Sequence, residues 1–155
     1  MNLPIRFLLA SLMVTLAGCA ITPSGGRADA NLDGKIMERA LTRWNLLIKG
    51  DASKAWEYLS PGYRATRPRE KYVREVSQRS VRWTDVNPFR PDEESQVKAV
   101  ECGSNGLSCD VRLRVGFKIR SHLTGVGLVE SASVIKESWV KIKGQWYIVP
   151  MDVVR

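Results

Sequence analysis

Near residue 80 the apolar residues of this chain change their spacing, from the helical period of about 3.6 to the strand period of about 2. Upstream, Met37, Leu41, Trp44 and Ile48 recur four, three and four apart, with Ile36, Ala40 and Leu47 beside them. That is the wide apolar stripe of a core-facing helix over 30–49, and Gly50 stops it. Asp51 caps a second, short helix through Tyr58, which Pro61-Gly62 ends. A third helix starts with Thr66 as its cap and Pro68 in its first turn, and runs to Arg79 with Tyr72, Val73 and Val76 facing inward. Downstream, Cys109, Val111, Leu113, Val115, Phe117 and Ile119 alternate with Asp110, Arg112, Arg114 and Lys118. One face of that strand is buried and the other is wet.

Strands at 81–87, 95–102, 129–143 and 145–150, with a turn at Lys143-Gly144, complete an antiparallel set after the helices. The expected fold class is therefore α+β, with three N-terminal helices packed on an antiparallel sheet that wraps one side of them. The length of 155 residues and a hydrophobic content of 44% suit one small domain with a real core. One His and three Cys cannot make a zinc site of the common Cys/His types without carboxylates, so no metal is expected, and nothing calls for a cofactor.

Residues 1–19 have a different character: one cation, Arg6, then an apolar run from Phe7 to Ala17, then small residues. This is the layout of a secretory signal, and the run is too short for a spanning helix of about 20 residues. Leu16-Ala17-Gly18-Cys19 is similar to the lipobox of bacterial lipoproteins. That resemblance implies cleavage before Cys19, acylation of its thiol and amino group, and permanent anchoring to a lipid bilayer. With Ala20 and not Asp in the next position, it implies the periplasmic side of the outer membrane. The expected organisation is a signal peptide at 1–18, a lipidated Cys19 with a Pro/Gly/Ser-rich tether to residue 29, and a single domain at 30–155.

Removing Cys19 leaves Cys102 and Cys109 in an oxidising compartment, where an even count reads as one disulfide. Gly103, Asn105 and Gly106 between them are turn formers flanked by apolar stretches, so the bridge closes the end of a β-hairpin.

The run from Arg43 to Asp51, followed by Lys54-Ala55-Trp56-Glu57-Tyr58-Leu59-Ser60-Pro61, resembles the opening of nuclear transport factor 2-like domains. The closing segment from Glu137 to Ile148 resembles their last two strands. The resemblance implies a cone: a strongly curved antiparallel sheet enclosing a pocket against the helices. It also implies a choice of uses, since that superfamily includes isomerase-like and dehydratase-like enzymes, transport adaptors and envelope proteins without activity.

Among the strand carboxylates Asp85, Glu101, Asp110, Glu130 and Glu137, parity places Glu137 on the face of Ile135 and Trp139, looking into the cone. Glu137 is thus the expected polar feature of a pocket lined by Trp44, Tyr58, Trp139 and Trp146. The competing structural reading pairs it with a cation at the rim. Tyr58, Tyr63, Tyr72 and His122 are the other groups with acid or base chemistry, but they match no catalytic motif of the superfamily, and no catalytic residue is assigned. Trp44, Trp139 and Trp146 fall where the apolar pattern already wants core residues.

Between Pro61 and Trp83 stand seven Arg and Lys against two Glu, within a chain of formal net charge +8. In an exported lipoprotein, nucleic acid is not the expected partner. Arg67, Arg69 and Arg74 are instead the candidates for contact with anionic lipid or an acidic face of an envelope protein. The functional expectation is a membrane-anchored, noncatalytic binding or scaffolding module of the cell envelope. The alternative is a binder of small apolar ligands, or an isomerase- or dehydratase-like enzyme, using the cone pocket.

Overall fold

The computed structural model describes residues 30–91, 97–120 and 127–150. The expected signal peptide, the lipobox with Cys19, the tether and His122 lie outside the described residues. The first helix, α1 (Ala30–Ile48), faces the core with Ile36, Ala40, Trp44 and Leu47, which are buried, whereas Met37, Leu41 and Ile48, expected to lead the stripe, are half-buried at its side. It ends because Gly50 turns to φ 80°, which lets the Asp51 N–H reach back 2.8 Å to the Leu46 carbonyl. A residue with a Cβ adopts that left-handed conformation at a cost, and glycine does not. Asp51 then caps α2 (Ala52–Trp56), its carboxylate accepting from the Lys54 N–H at 3.1 Å.

The expected third helix is corrected to two, giving four helices among the described residues. Pro61-Gly62, expected as a terminator, opens α3 (Pro61–Thr66). Ser60 Oγ accepts from the Tyr63 N–H at 3.3 Å, and Pro61 takes a first-turn position where its missing N–H leaves no bond unmade. Thr66, expected as a helix start, is the last residue of α3, and its hydroxyl donates to the Tyr63 carbonyl at 3.0 Å. The fourth helix, α4 (Arg69–Ser77), begins directly after Pro68.

Five strands follow among the described residues: β1 (Arg82–Pro88), β2 (Val100–Cys102), β3 (Ser108–Arg120), β4 (Leu128–Ile142) and β5 (Gln145–Val149). They form one antiparallel sheet in the order β1-β3-β4-β5, with β2 lying beyond the end of β1 along the same side of β3. Lys143 at φ 50° and Gly144 at φ 82° make the two-residue turn between β4 and β5. The free edge of β5 is covered by the chain between α2 and α3: Ile148 donates to the Tyr58 carbonyl and accepts from the Ser60 N–H, each at 2.9 Å.

The sheet is not strongly curled, in contrast to the expected cone. Bulges and register breaks are what bend a sheet sharply, and the central pair has none: β3 and β4 stay in register from Ser108↔Val140 to Arg120↔Leu128. The register shift falls on the edge strand β1, between Trp83 and Asp85.

The core lies between α1 and one face of the sheet. Ile36, Leu59, Val111 and Leu113 are fully buried there, contributing about 1.5–3 kcal/mol each. The alternation along β3 is matched by burial as far as Val115; Phe117 is half-buried and Ile119 exposed, so the covered part of this face stops before the end of the β3–β4 pair.

Cys102 and Cys109 form a disulfide across the β2–β3 turn, with Cα atoms 3.9 Å apart. The Gly103 N–H donates to the Ser108 carbonyl and the Arg112 N–H to the Ala99 carbonyl, which leaves the two cysteines on a directly opposed, non-hydrogen-bonded pair of the ladder. That is the position where facing side chains come closest. No helix among the described residues is long and apolar enough to cross a membrane.

Candidate functional site

Two polar features stand out from the apolar fold, one inside it and one on its surface. The inner one is built around Glu137. Strand β4 points this residue at α1, between Ile135 and Trp139, and α1 supplies the partners from successive positions, Arg43 and Trp44. Glu137 Oε1 accepts from Arg43 Nη1 at 2.7 Å and from the Trp44 indole N–H at 2.9 Å. Oε2 accepts from the Trp139 indole N–H at 3.1 Å. Arg43 and Glu137 are 7% and 8% exposed, so this ion pair belongs to the interior and not to a rim.

Burial by itself would lower the Arg43 pKa, because it disfavours the charged form. The Glu137 carboxylate, and next the Tyr72 phenol 3.5 Å from Nη2, outweigh that and hold it above the ordinary guanidinium value. Arg43 is therefore held as a cation at any physiological pH. Arg43 Nε is buried without a hydrogen-bond partner among the described residues.

Trp44 packs edge-on against Trp83, with ring centroids 5.2 Å apart. Trp139 is fully buried and Trp146 is 5% exposed. Of the five residues expected to line a pocket, Trp44, Glu137 and Trp139 thus form a hydrogen-bonded core cluster. Trp146 extends that core, and Tyr58 lies elsewhere.

Tyr58 belongs to the second feature, a surface cleft of about 370 Å³ between α1, the α2–α3 region and β5. Arg39, Arg64 and Arg69 line it with the rings of Tyr58 and Tyr147, and Glu57 is its carboxylate. The guanidiniums and rings alternate. The Arg39 guanidinium carbon lies 4.5 Å from the centre of the Tyr58 ring and 5.8 Å from that of Tyr147. Arg64 stands 5.8 Å from Tyr147 and 5.1 Å from Trp56, and Arg69 is 4.8 Å from the same Trp56 ring. Arg39 Nε donates to the Trp146 carbonyl at 2.6 Å, which pins that side chain to β5. Arg69 meets Glu57 at 3.4 Å.

The arginines singled out in the sequence are dispersed by the fold. Arg67, half-buried at the end of α3, pairs with Glu75 at 2.6 Å, and its carbonyl accepts from the Trp56 indole at 3.1 Å. Arg74 is exposed on α4, and Arg69 alone joins the cleft. Arg64 belongs to the basic stretch between Pro61 and Trp83, whereas Arg39, Arg43 and Tyr147 carry no site expectation from the sequence. Arg39 and Arg43 stand four apart along the flank of the apolar stripe of α1, a place where a charged side chain must find a partner or a wet cleft, and that spacing was the available signal. Of the remaining strand acids, Asp110 is held below the ordinary carboxylate range, first by the hydrogen bond from the Ser138 hydroxyl at 2.8 Å and then by Lys136 and Arg112. Glu101 pairs with Arg112 and Glu130 with Lys118 on the outer face of the sheet.

No protein-family model matches this chain, and no curated protein matches it.

Proposed function

We propose that this chain is a noncatalytic binding or scaffolding module of the bacterial cell envelope, anchored by lipid on Cys19 to the periplasmic side of the outer membrane. The observation that carries the noncatalytic reading is that both oxygens of buried Glu137 are already hydrogen-bonded within the core. A carboxylate acting as a general base must present a free oxygen to substrate. Glu137 instead meets three N–H donors, one of them on a buried Arg43, beneath fully buried Trp139. An interior filled by its own indole rings leaves the outer surface as the place of interaction.

The disulfide supports an oxidising compartment, since such bonds persist there and are rare in reducing cytosol. Support for the nuclear transport factor 2-like relationship comes from the long helix ending at Gly50-Asp51, the Ser60-Pro61 junction and the closing β4–β5 hairpin. On this reading the domain is a flatter-sheeted, closed relative of the ligand-holding cones.

The test expresses the full chain and a Cys19→Ser variant in a Gram-negative host, fractionates the membranes and crosslinks in intact cells. The expected result is palmitate incorporation and outer-membrane fractionation that the variant loses, together with discrete crosslinks to envelope proteins. A chain that is unlipidated and soluble would overturn the anchoring. Native mass spectrometry that retained a small apolar molecule, released by Glu137→Gln, would replace the scaffold with a ligand binder.

A further inference from the structure

The geometry points to the cleft between α1, α3 and β5 as a binding site for a phosphomonoester group. Three guanidiniums share this cleft with one carboxylate, Glu57, which only Arg69 engages. Neither Arg39 nor Arg64 has a carboxylate partner among the described residues. Cations gathered in this way repel one another, and a bound anion relieves that repulsion.

The arginines are also held in place before any ligand arrives. Arg39 is tied to the Trp146 carbonyl and lies over Tyr58; Arg64 stands between Tyr147 and Trp56, and Arg69 packs on Trp56. Ring contacts fix the plane of a guanidinium while leaving its N–H edge available to an acceptor, so less conformational freedom is lost on binding. The terminal nitrogens of Arg39 and all the guanidinium nitrogens of Arg64 lack a hydrogen-bond acceptor among the described residues. The Tyr147 hydroxyl donates to Gln145 Oε1 at 3.0 Å, and Gln145 also lines the cleft.

A cleft so rich in donors fits a ligand that only accepts. Its excess of two positive charges matches a phosphomonoester, at about −1.5 to −2 near neutral pH, better than a singly charged carboxylate. Its volume of about 370 Å³ leaves room for an organic portion beyond the phosphate. The site lies apart from the Glu137 cluster and uses none of its side chains. The inference rests on the binding-module reading and names a ligand class for it.

The test is calorimetry on the full chain in nonionic detergent. The probes are inorganic phosphate, glucose 1-phosphate, phosphatidic acid in mixed micelles, acetate and a polyglutamate peptide. Saturable binding of a phosphomonoester is expected. Arg39→Gln and Arg64→Gln should each weaken it about tenfold or more, as the loss of a charged hydrogen bond requires. Arg74→Gln, outside the cleft, should leave it unchanged, and circular dichroism checks that each variant is folded. Tighter binding of glucose 1-phosphate than of phosphatidic acid would assign the site to soluble phosphates, and binding of phosphatidic acid alone would assign it to a lipid headgroup. Absence of phosphomonoester binding, binding no stronger than that of acetate, or binding indifferent to Arg39 and Arg64 would overturn the inference. Polyglutamate binding without phosphate binding would also overturn it, in favour of an acidic protein surface. Loss of protein crosslinks in cells would leave this result untouched, so the two readings fail separately.

Discussion

Arg43 and Glu137, 94 residues apart in the chain, meet at 2.7 Å in the interior, where α1 crosses the sheet. Their pairing places one ion of each sign in the core, with two indole N–H groups on the same carboxylate. A buried pair of this kind adds little over a well-packed apolar pair, but losing one partner leaves the other as an unpaired buried charge.

Glu137→Gln keeps the shape and removes the countercharge, and it should destabilise the fold by about 3–5 kcal/mol in urea denaturation. Arg43→Met should be costly as well. Combined, the two changes should cost less than the sum of the single ones by about 1–3 kcal/mol. Simple additivity across the four proteins would show that the pair is not energetically coupled.

The Cys102–Cys109 bridge closes a short loop, with a sequence separation of 7. Its removal by Cys102→Ser with Cys109→Ser should lower stability by about 2–3 kcal/mol on the chain-entropy account. Thermal unfolding of the oxidised chain and the double variant measures this. Because β2 pairs only with β3 among the described strands, hydrogen exchange should rise first in residues 100–102, with α1 still protected.

Acid should weaken the contact between Asp110 and Ser138. The folded-state pKa of Asp110 is lowered from the ordinary 3.8, chiefly by the Ser138 hydroxyl, so the folded chain holds this carboxyl ionised more readily than the unfolded one. The stabilisation is fully present above that ordinary value and is lost as pH falls through the lower folded-state value. Asp110→Asn should therefore be less stable than the parent at neutral pH, and the difference should shrink as pH falls below the ordinary 3.8 and through the lower folded-state value. A difference in urea midpoint that stays constant with pH would remove Asp110 as the titrating group.

Ser60→Ala should cost about 1 kcal/mol, the usual loss of a helix cap, whereas Ser60→Asn should retain most of the stability. The backbone N–H that Ser60 donates to Ile148 is kept in the alanine variant, so the loss should appear in α3 and not at the β5 edge. Chemical-shift changes as large in β5 as in α3 would show that the hydroxyl does more than cap the helix.

Local chemistry was legible in the chain. Gly50 and Asp51 ended one helix and capped the next because each acts through its own backbone neighbourhood. Parity placed Glu137 inward, and turn formers between two cysteines placed the disulfide. Pro61-Gly62 was misread because a proline after a serine serves equally to end one helix or begin another. The choice fell to Ser60, which is held by β5, a strand far along the chain.

By itself, then, the sequence determined the α+β division, the inward face of each periodic segment and the residues able to bridge a hairpin, since all of these depend on spacings of a few residues. Tertiary structure alone decided that Glu137 would meet Arg43 and two indoles, that β3 and β4 would pair without a break in register, and that Arg39, Arg64 and Arg69 would share one cleft. Those outcomes depend on which distant elements pack together, and pairwise contacts between elements far apart in the chain leave no periodic trace in a single sequence.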